Sequence, residues 1–147
     1  MCCKNTNAKE THFGACCSRP DLYGIIIPGK HGKLLATLYT AGGEGPHPTI
    51  LLLHGIPGSE QNLDLAQAFR RAGFHVMTFH YSGSWGSSGD YSLQNDLDDA
   101  ETVLDFILND TTYNFDKEKI YAAGHSLGGF VCGQITARRS EIKGAAL

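Results

Sequence analysis

"IYAAGHSLGGFVCGQI", Ile120 to Ile135, changes character in its middle. It opens as an apolar run of strand length, tightens at Gly124-His125-Ser126-Leu127-Gly128, and continues with Phe130, Val131 and Ile135 at helical spacing. The stretch therefore predicts a strand, a sharp turn and a helix in direct succession. The G-x-S-x-G spacing has a steric cause: in so tight a turn the positions two residues either side of the serine come too close for side chains, and glycine relieves both. A helix beginning after Ser126 starts with free backbone N–H groups, and that of Leu127 is placed to meet negative charge developing on a substrate oxygen.

Working outward, three further apolar runs share this character: "TILLLH" (Thr49–His54), "HVMTFH" (His75–His80) and "KGAAL" (Lys143–Leu147). Helical periodicity fills the gaps between the four. Leu65, Ala66, Phe69 and Ala72 recur in the first, with Ser59 placed to cap its start and Gly73 to end it. Leu93, Leu97, Ala100, Leu104 and Ile107 make an apolar stripe in the second, with Asp96, Asp98, Asp99 and Glu101 loading the first turns, where the helix dipole favours negative charge. Runs that are apolar throughout imply strands buried on both faces, and helical crossovers imply parallel neighbours. Upstream, "LYGIIIP" and "KLLATLYTA" flank "GKHG" as an antiparallel hairpin, and "GGEGPHP" reads as a surface loop. The expected fold class is α/β, a mostly parallel sheet with helices on both faces, entered through that hairpin. Binding sites in such sheets gather at the carboxyl ends of the strands, so the loops after His54, His80 and His125 are the ones to watch.

The first of those loops, "LLLHGIPGSEQN", supplies a second part of a site. Gly55 permits a sharp turn and Pro57 has no N–H, which leaves the Ile56 amide as a natural partner to that of Leu127 in an oxyanion hole. "HGIPGS", "HYSGSWGSSGDYS" and "GHSLGG", in that order, resemble the amino-terminal half of an α/β-hydrolase, nearest the branch of esterases, acyl-peptidases and prolyl-peptidase-like enzymes. The resemblance covers about Leu22 to Leu147. It implies Ser126 as nucleophile and the amides of Ile56 and Leu127 as substrate-binding oxyanion donors. It also implies an ester, thioester or amide substrate, whether a small molecule or a peptide, cleaved through an acyl-serine with neither cofactor nor metal. Relatives often carry Arg where this chain has Ser82, and their loop there lies near the active-site mouth, which would bring Trp85 to the pocket border.

In the family the order is Ser, then Asp or Glu, then His, with both partners on later strands. The expectation is an incomplete hydrolase domain, residues 22–147 behind a flexible lead-in of residues 1–21, inactive by itself for want of those partners. The alternative is a hydrolase-like binding or scaffold module. Among the histidines, His125 should point away from the nucleophile, His54 should hydrogen-bond its own loop, and His80 is the one geometric candidate for a base, with Asp90 in a loop on the same edge. His12, His31 and His47 fall in the lead-in, the hairpin turn and a loop, and receive no role.

Bulk properties narrow the classes further. The formal charge of −3 argues against a nucleic-acid partner, which calls for a basic face. No apolar run approaches the roughly 20 residues of a membrane span, and "MCCKNTNAKE" lacks the apolar stretch of a signal peptide, so no membrane partner and a cytoplasmic location are expected. Cys2-Cys3 and Cys16-Cys17 lack the C-x2-C spacing of a zinc grip, and Cys132 reads as a small core residue. "GIIIPGKH" mimics a phosphate loop but has His31 where Ser or Thr must hold magnesium, and three β-branched residues make a strand. "KGAAL" as the outermost strand would leave an open edge through which the chain could self-associate.

Overall fold

In the computed structural model, which describes residues 19–56 and 62–147, the elements run β1 (Leu22–Gly29), β2 (Gly32–Tyr39), β3 (His47–Leu53), α1 (Leu63–Arg71), β4 (His75–Phe79), α2 (Leu93–Asn109), β5 (Phe115–Gly124), α3 (Leu127–Arg138) and β6 (Ile142–Ala146). The twin cysteine pairs, most of the lead-in and the Ser59 cap lie outside the described residues. The strands form one sheet in the order β1-β2-β4-β3-β5-β6. β1, β2 and β4 are antiparallel in sequence, and β4, β3, β5 and β6 are parallel. This is the expected α/β sheet with its hairpin entry.

Burial follows from the layers. Every residue of β4 is buried, as is β3 from Thr49 onward, because helices cover both faces of the sheet there. The larger core packs Leu38, Leu51, Met77 and Phe79 of the sheet against Leu104 of α2 and Ile135 of α3. On the opposite face Ala66 and Phe69 of α1 meet Tyr39, Leu52 and Val76. Gly73, at φ 96°, closes α1 as its place in the sequence predicts. The Ser92 hydroxyl caps α2 by accepting the Asn95 N–H at 3.1 Å.

Two departures from the sequence reading have identifiable causes. β5 begins at Phe115, five positions before the apolar run at Ile120, and Phe115 pairs with His47 across a register shift. The charged stretch Asp116–Lys119 masks that start, and it makes His47 the first residue of β3 rather than part of a loop. In α2, Leu93 is 54% exposed, while Asp96 and Asp99 are fully buried. The predicted stripe is buried at Leu97, Ala100, Leu104 and Ile107, and the buried face extends beyond it to Asp96, Asp99 and Val103. Two of the carboxylates that load the first turns are therefore in the protein interior.

Candidate active site

Ser126 stands between the end of β5 and the first residue of α3 with φ 58° and ψ −123°, a backbone conformation that L-residues rarely hold. Its carbonyl accepts the Phe130 N–H at 3.1 Å, which starts the helix, while its hydroxyl makes no cap hydrogen bond. The flanking glycines are required by their surroundings. A methyl group on Gly124 would overlap the Gly128 carbonyl, and one on Gly128 would overlap the Leu53 carbonyl oxygen and stand 2.8 Å from that of His54. The turn is thus pressed against the carboxyl end of β3. Gly55 completes the arrangement: a methyl there would lie 3.1 Å from Ser126 Cβ and 3.6 Å from its Oγ. The loop after β3 therefore passes directly beside the serine, with half-buried Ile56 one residue on and half-buried Leu127 opening α3.

His54 behaves as its sequence position suggests. Its buried Nδ1 is 2.9 Å from the Gly55 carbonyl. A carbonyl only accepts, so Nδ1 carries the proton and Nε2 is left as a lone pair. Burial holds the imidazole below its usual pKa. The buried Tyr81 hydroxyl donates to the His54 carbonyl at 3.3 Å, and the two rings lie 4.5 Å apart. His80 follows β4 with its ring 5.6 Å from that of His54, and burial, then His54 itself, lowers its pKa. His125 is exposed, as is Trp85, at φ 46° in the loop after β4.

That loop is held from two sides. Inward, Asp99 accepts the Ser82 N–H at 2.6 Å and the Ser82 hydroxyl at 3.0 Å. Next to it both Asp96 oxygens lack a partner among the described residues. Burial, with Asp99 adding like charge, pushes the Asp96 carboxyl up to about 7. Burial also raises Asp99, against the opposing Ser82 hydrogen bonds. Outward, the Ser87 hydroxyl accepts the Leu35 N–H at 2.9 Å and donates to the His80 carbonyl at 2.7 Å, joining β2 to the end of β4. The Ser88 N–H donates to the Lys33 carbonyl at 2.8 Å. Asp98 pairs with His31 at 3.0 Å and with Lys30 at 3.5 Å, so the hairpin-turn histidine helps dock the turn against α2. Sequence reasoning placed Asp96 and Asp99 in the first turns of α2 and did not foresee their burial or the bond of Asp99 to Ser82.

Comparison with known proteins places this geometry. Residues 48–147 match the family model of the α/β hydrolase fold. The chain belongs to the α/β-hydrolase fold family. It is 36% identical over 99 residues to the lysophosphatidylserine lipase ABHD12 of Gallus gallus, a match that covers 65% of this chain and 25% of the relative. The chain thus spans about a quarter of that relative's length. A candidate α/β hydrolase of unknown function from Agrobacterium tumefaciens superposes with a TM-score of 0.75 at 26% identity, covering 84% of this chain and 59% of that one. The Pyrococcus furiosus esterase Pf2001, at 17% identity and a TM-score of 0.74 over 86% of this chain and 50% of its own, shares the fold. Among the described residues no three His, Cys, Asp or Glu side chains gather as a metal site, and no helix is long and apolar enough to cross a membrane.

Proposed function

We propose that this α/β hydrolase is a serine esterase acting on a carboxylic ester of an acylated lipid, and that this chain carries its nucleophile and oxyanion donors. The observation that supports the reading most directly is Ser126 at φ 58° between β5 and α3, with Gly55 packed against it. Ser126 Oγ attacks the ester carbonyl as its proton passes to a base. The amides of Ile56 and Leu127 take up the negative charge on the tetrahedral oxygen, and the alcohol leaves on reprotonation. Water then attacks the acyl-serine, releasing the carboxylic acid and returning the hydroxyl. The ester preference draws on the likeness to the lysophosphatidylserine lipase. The base and acid are assigned to segments that follow this one in the family order.

A fluorophosphonate probe and a nitrophenyl ester test the assignment. The 147-residue chain should label slowly and turn over at least about a thousandfold less than a protein that also carries the later acid and histidine. In that longer protein, Ser126→Ala should abolish labelling. Rapid turnover by the 147-residue chain would place the base within it, and an unlabelled Ser126 in the longer protein would favour a scaffold over an enzyme.

A further inference from the structure

At the end of the sheet opposite Ser126, His75 opens β4 and is 3% exposed. Both its ring nitrogens engage the main chain: Nδ1 accepts the Ala41 N–H at 3.0 Å, and Nε2 lies 2.9 Å from the Tyr113 carbonyl. An amide N–H only donates and a carbonyl only accepts, so the ring is held as the neutral tautomer with its proton on Nε2. Ala41 belongs to the β2–β3 connection and Tyr113 to the turn before β5. One imidazole therefore joins β4 to two connections distant in sequence. The ring of His47, from β3, lies over it with centroids 4.6 Å apart, and Phe115 of β5 meets it edge-on at 5.7 Å.

A second proton on His75 has one place to go, Nδ1, where it would face the Ala41 N–H. The hydrogen bond would become an opposition of two donors in a buried site, which costs the bond and leaves the Ala41 N–H without this acceptor. We propose that His75 is an acid-operated release for the amino-terminal end of the sheet, its protonation breaking the Ala41 contact and freeing the Ala41–Pro46 connection while Nε2–H stays bonded to the Tyr113 carbonyl. Among the described residues the titratable side chain against the ring is His47 from β3; Tyr113 presents its carbonyl, and Asp110 lies near the Tyr113 phenol. Phe115 faces it from β5 without charge. Burial first, and His47 in the same direction, bring His75 down to about 4, against the opposing pull of the Tyr113 hydrogen bond. The unfolded imidazole titrates near 6.5. A depressed base contributes its stability in full above the unfolded value and loses it as pH falls toward the folded one, so the release acts between about 6.5 and 4.

The substitution His75→Gln separates this role from simple packing, because a glutamine amide can accept from Ala41 and donate to Tyr113 without titrating. Hydrogen exchange of the full chain should show residues 41–46 opening before the rest of the sheet as pH falls below 6.5, with residues 110–114 keeping their protection. Relative to H75Q at the same pH, that opening should rise by up to about tenfold per unit, and the variant's melting temperature should depend less on acid. Equal acid dependence in the two proteins would overturn the proposal. If H75Q does not fold, the imidazole resonances of the unmodified chain decide: a single Nε2–H tautomer titrating below pH 5 supports the release, and titration near 6.5 defeats it.

Discussion

At the amino-terminal end of the sheet His75 has main-chain partners for both ring nitrogens, whereas at the carboxyl end His54 has one for a single nitrogen and Asp96 has none. Four buried side-chain nitrogen and oxygen atoms lack a partner among the described residues, and three of them belong to His54 and Asp96. The same end holds Ser126 in its strained backbone conformation. Local rules that the rest of the molecule obeys are relaxed where the fold presents its nucleophile, and the cost is carried by the well-satisfied strands beneath. The two ends also respond to pH with opposite sign. His75 withdraws stability as pH falls, and Asp96, held neutral by burial, withdraws it as pH rises.

The contrast breaks first at the elbow. Gly128→Ala should cost about 3 kcal/mol or more in urea denaturation, since the added methyl would overlap the Leu53 carbonyl and crowd that of His54, both main chain. Gly129→Ala is the matched control. A methyl there would stand 3.5 Å from the Gly124 carbonyl oxygen, so its stability should stay within about 1 kcal/mol of the parent. Equal behaviour of the two variants would show that the turn is looser than its geometry indicates.

Asp96→Asn sharpens the comparison by removing one of the opposed titrations. The Asp96 carboxyl is raised from 3.8 to about 7, so its stabilising neutral form is complete below 3.8 and is lost as pH rises through 7. The variant should match the parent at pH 4 and exceed it by on the order of 3 kcal/mol at pH 9. A constant difference across that range would mean that Asp96 is not held neutral. The smallest effect is expected at the nucleophile. Ser126→Gly relieves the positive φ and should stabilise the fold by about 1 kcal/mol while abolishing covalent labelling, a separation of stability from reactivity that calorimetry and a fluorophosphonate can record on one sample.

Those regions also differed in how much of them could be read beforehand. The hairpin, the parallel strands and the turn at Ser126 were legible because each rests on a local pattern: apolar runs, helical spacing and paired glycines. Asp96 and Asp99 were not. Acidic residues opening a helix have a sufficient local explanation in the helix dipole, and the partner that meets Asp99 in the interior is Ser82, seventeen positions upstream. His75 was equally opaque, since its partners Ala41 and Tyr113 are far away in sequence and present only main-chain atoms. Phe115 was hidden by the charges that follow it. Sequence periodicity reports which face of an element is apolar, and it is silent on which distant backbone group a polar side chain will reach.

The docking of the loop after β4 onto the β1–β2 turn has a consequence for how such a protein can change. Ser87 and Ser88 tie that loop to Leu35 and Lys33, and the Asp98 ion pairs hold Lys30 and His31 against α2, on the rim farthest along the sheet from the serine strand. A substitution in the exposed turn can therefore shift the Trp85 loop without touching Ser126, Gly55 or the glycines that brace them. Inheritance has in this turn a remote adjustment screw: selection can alter the rim of the site through a surface hairpin while the parts that tolerate no added methyl stay as they are.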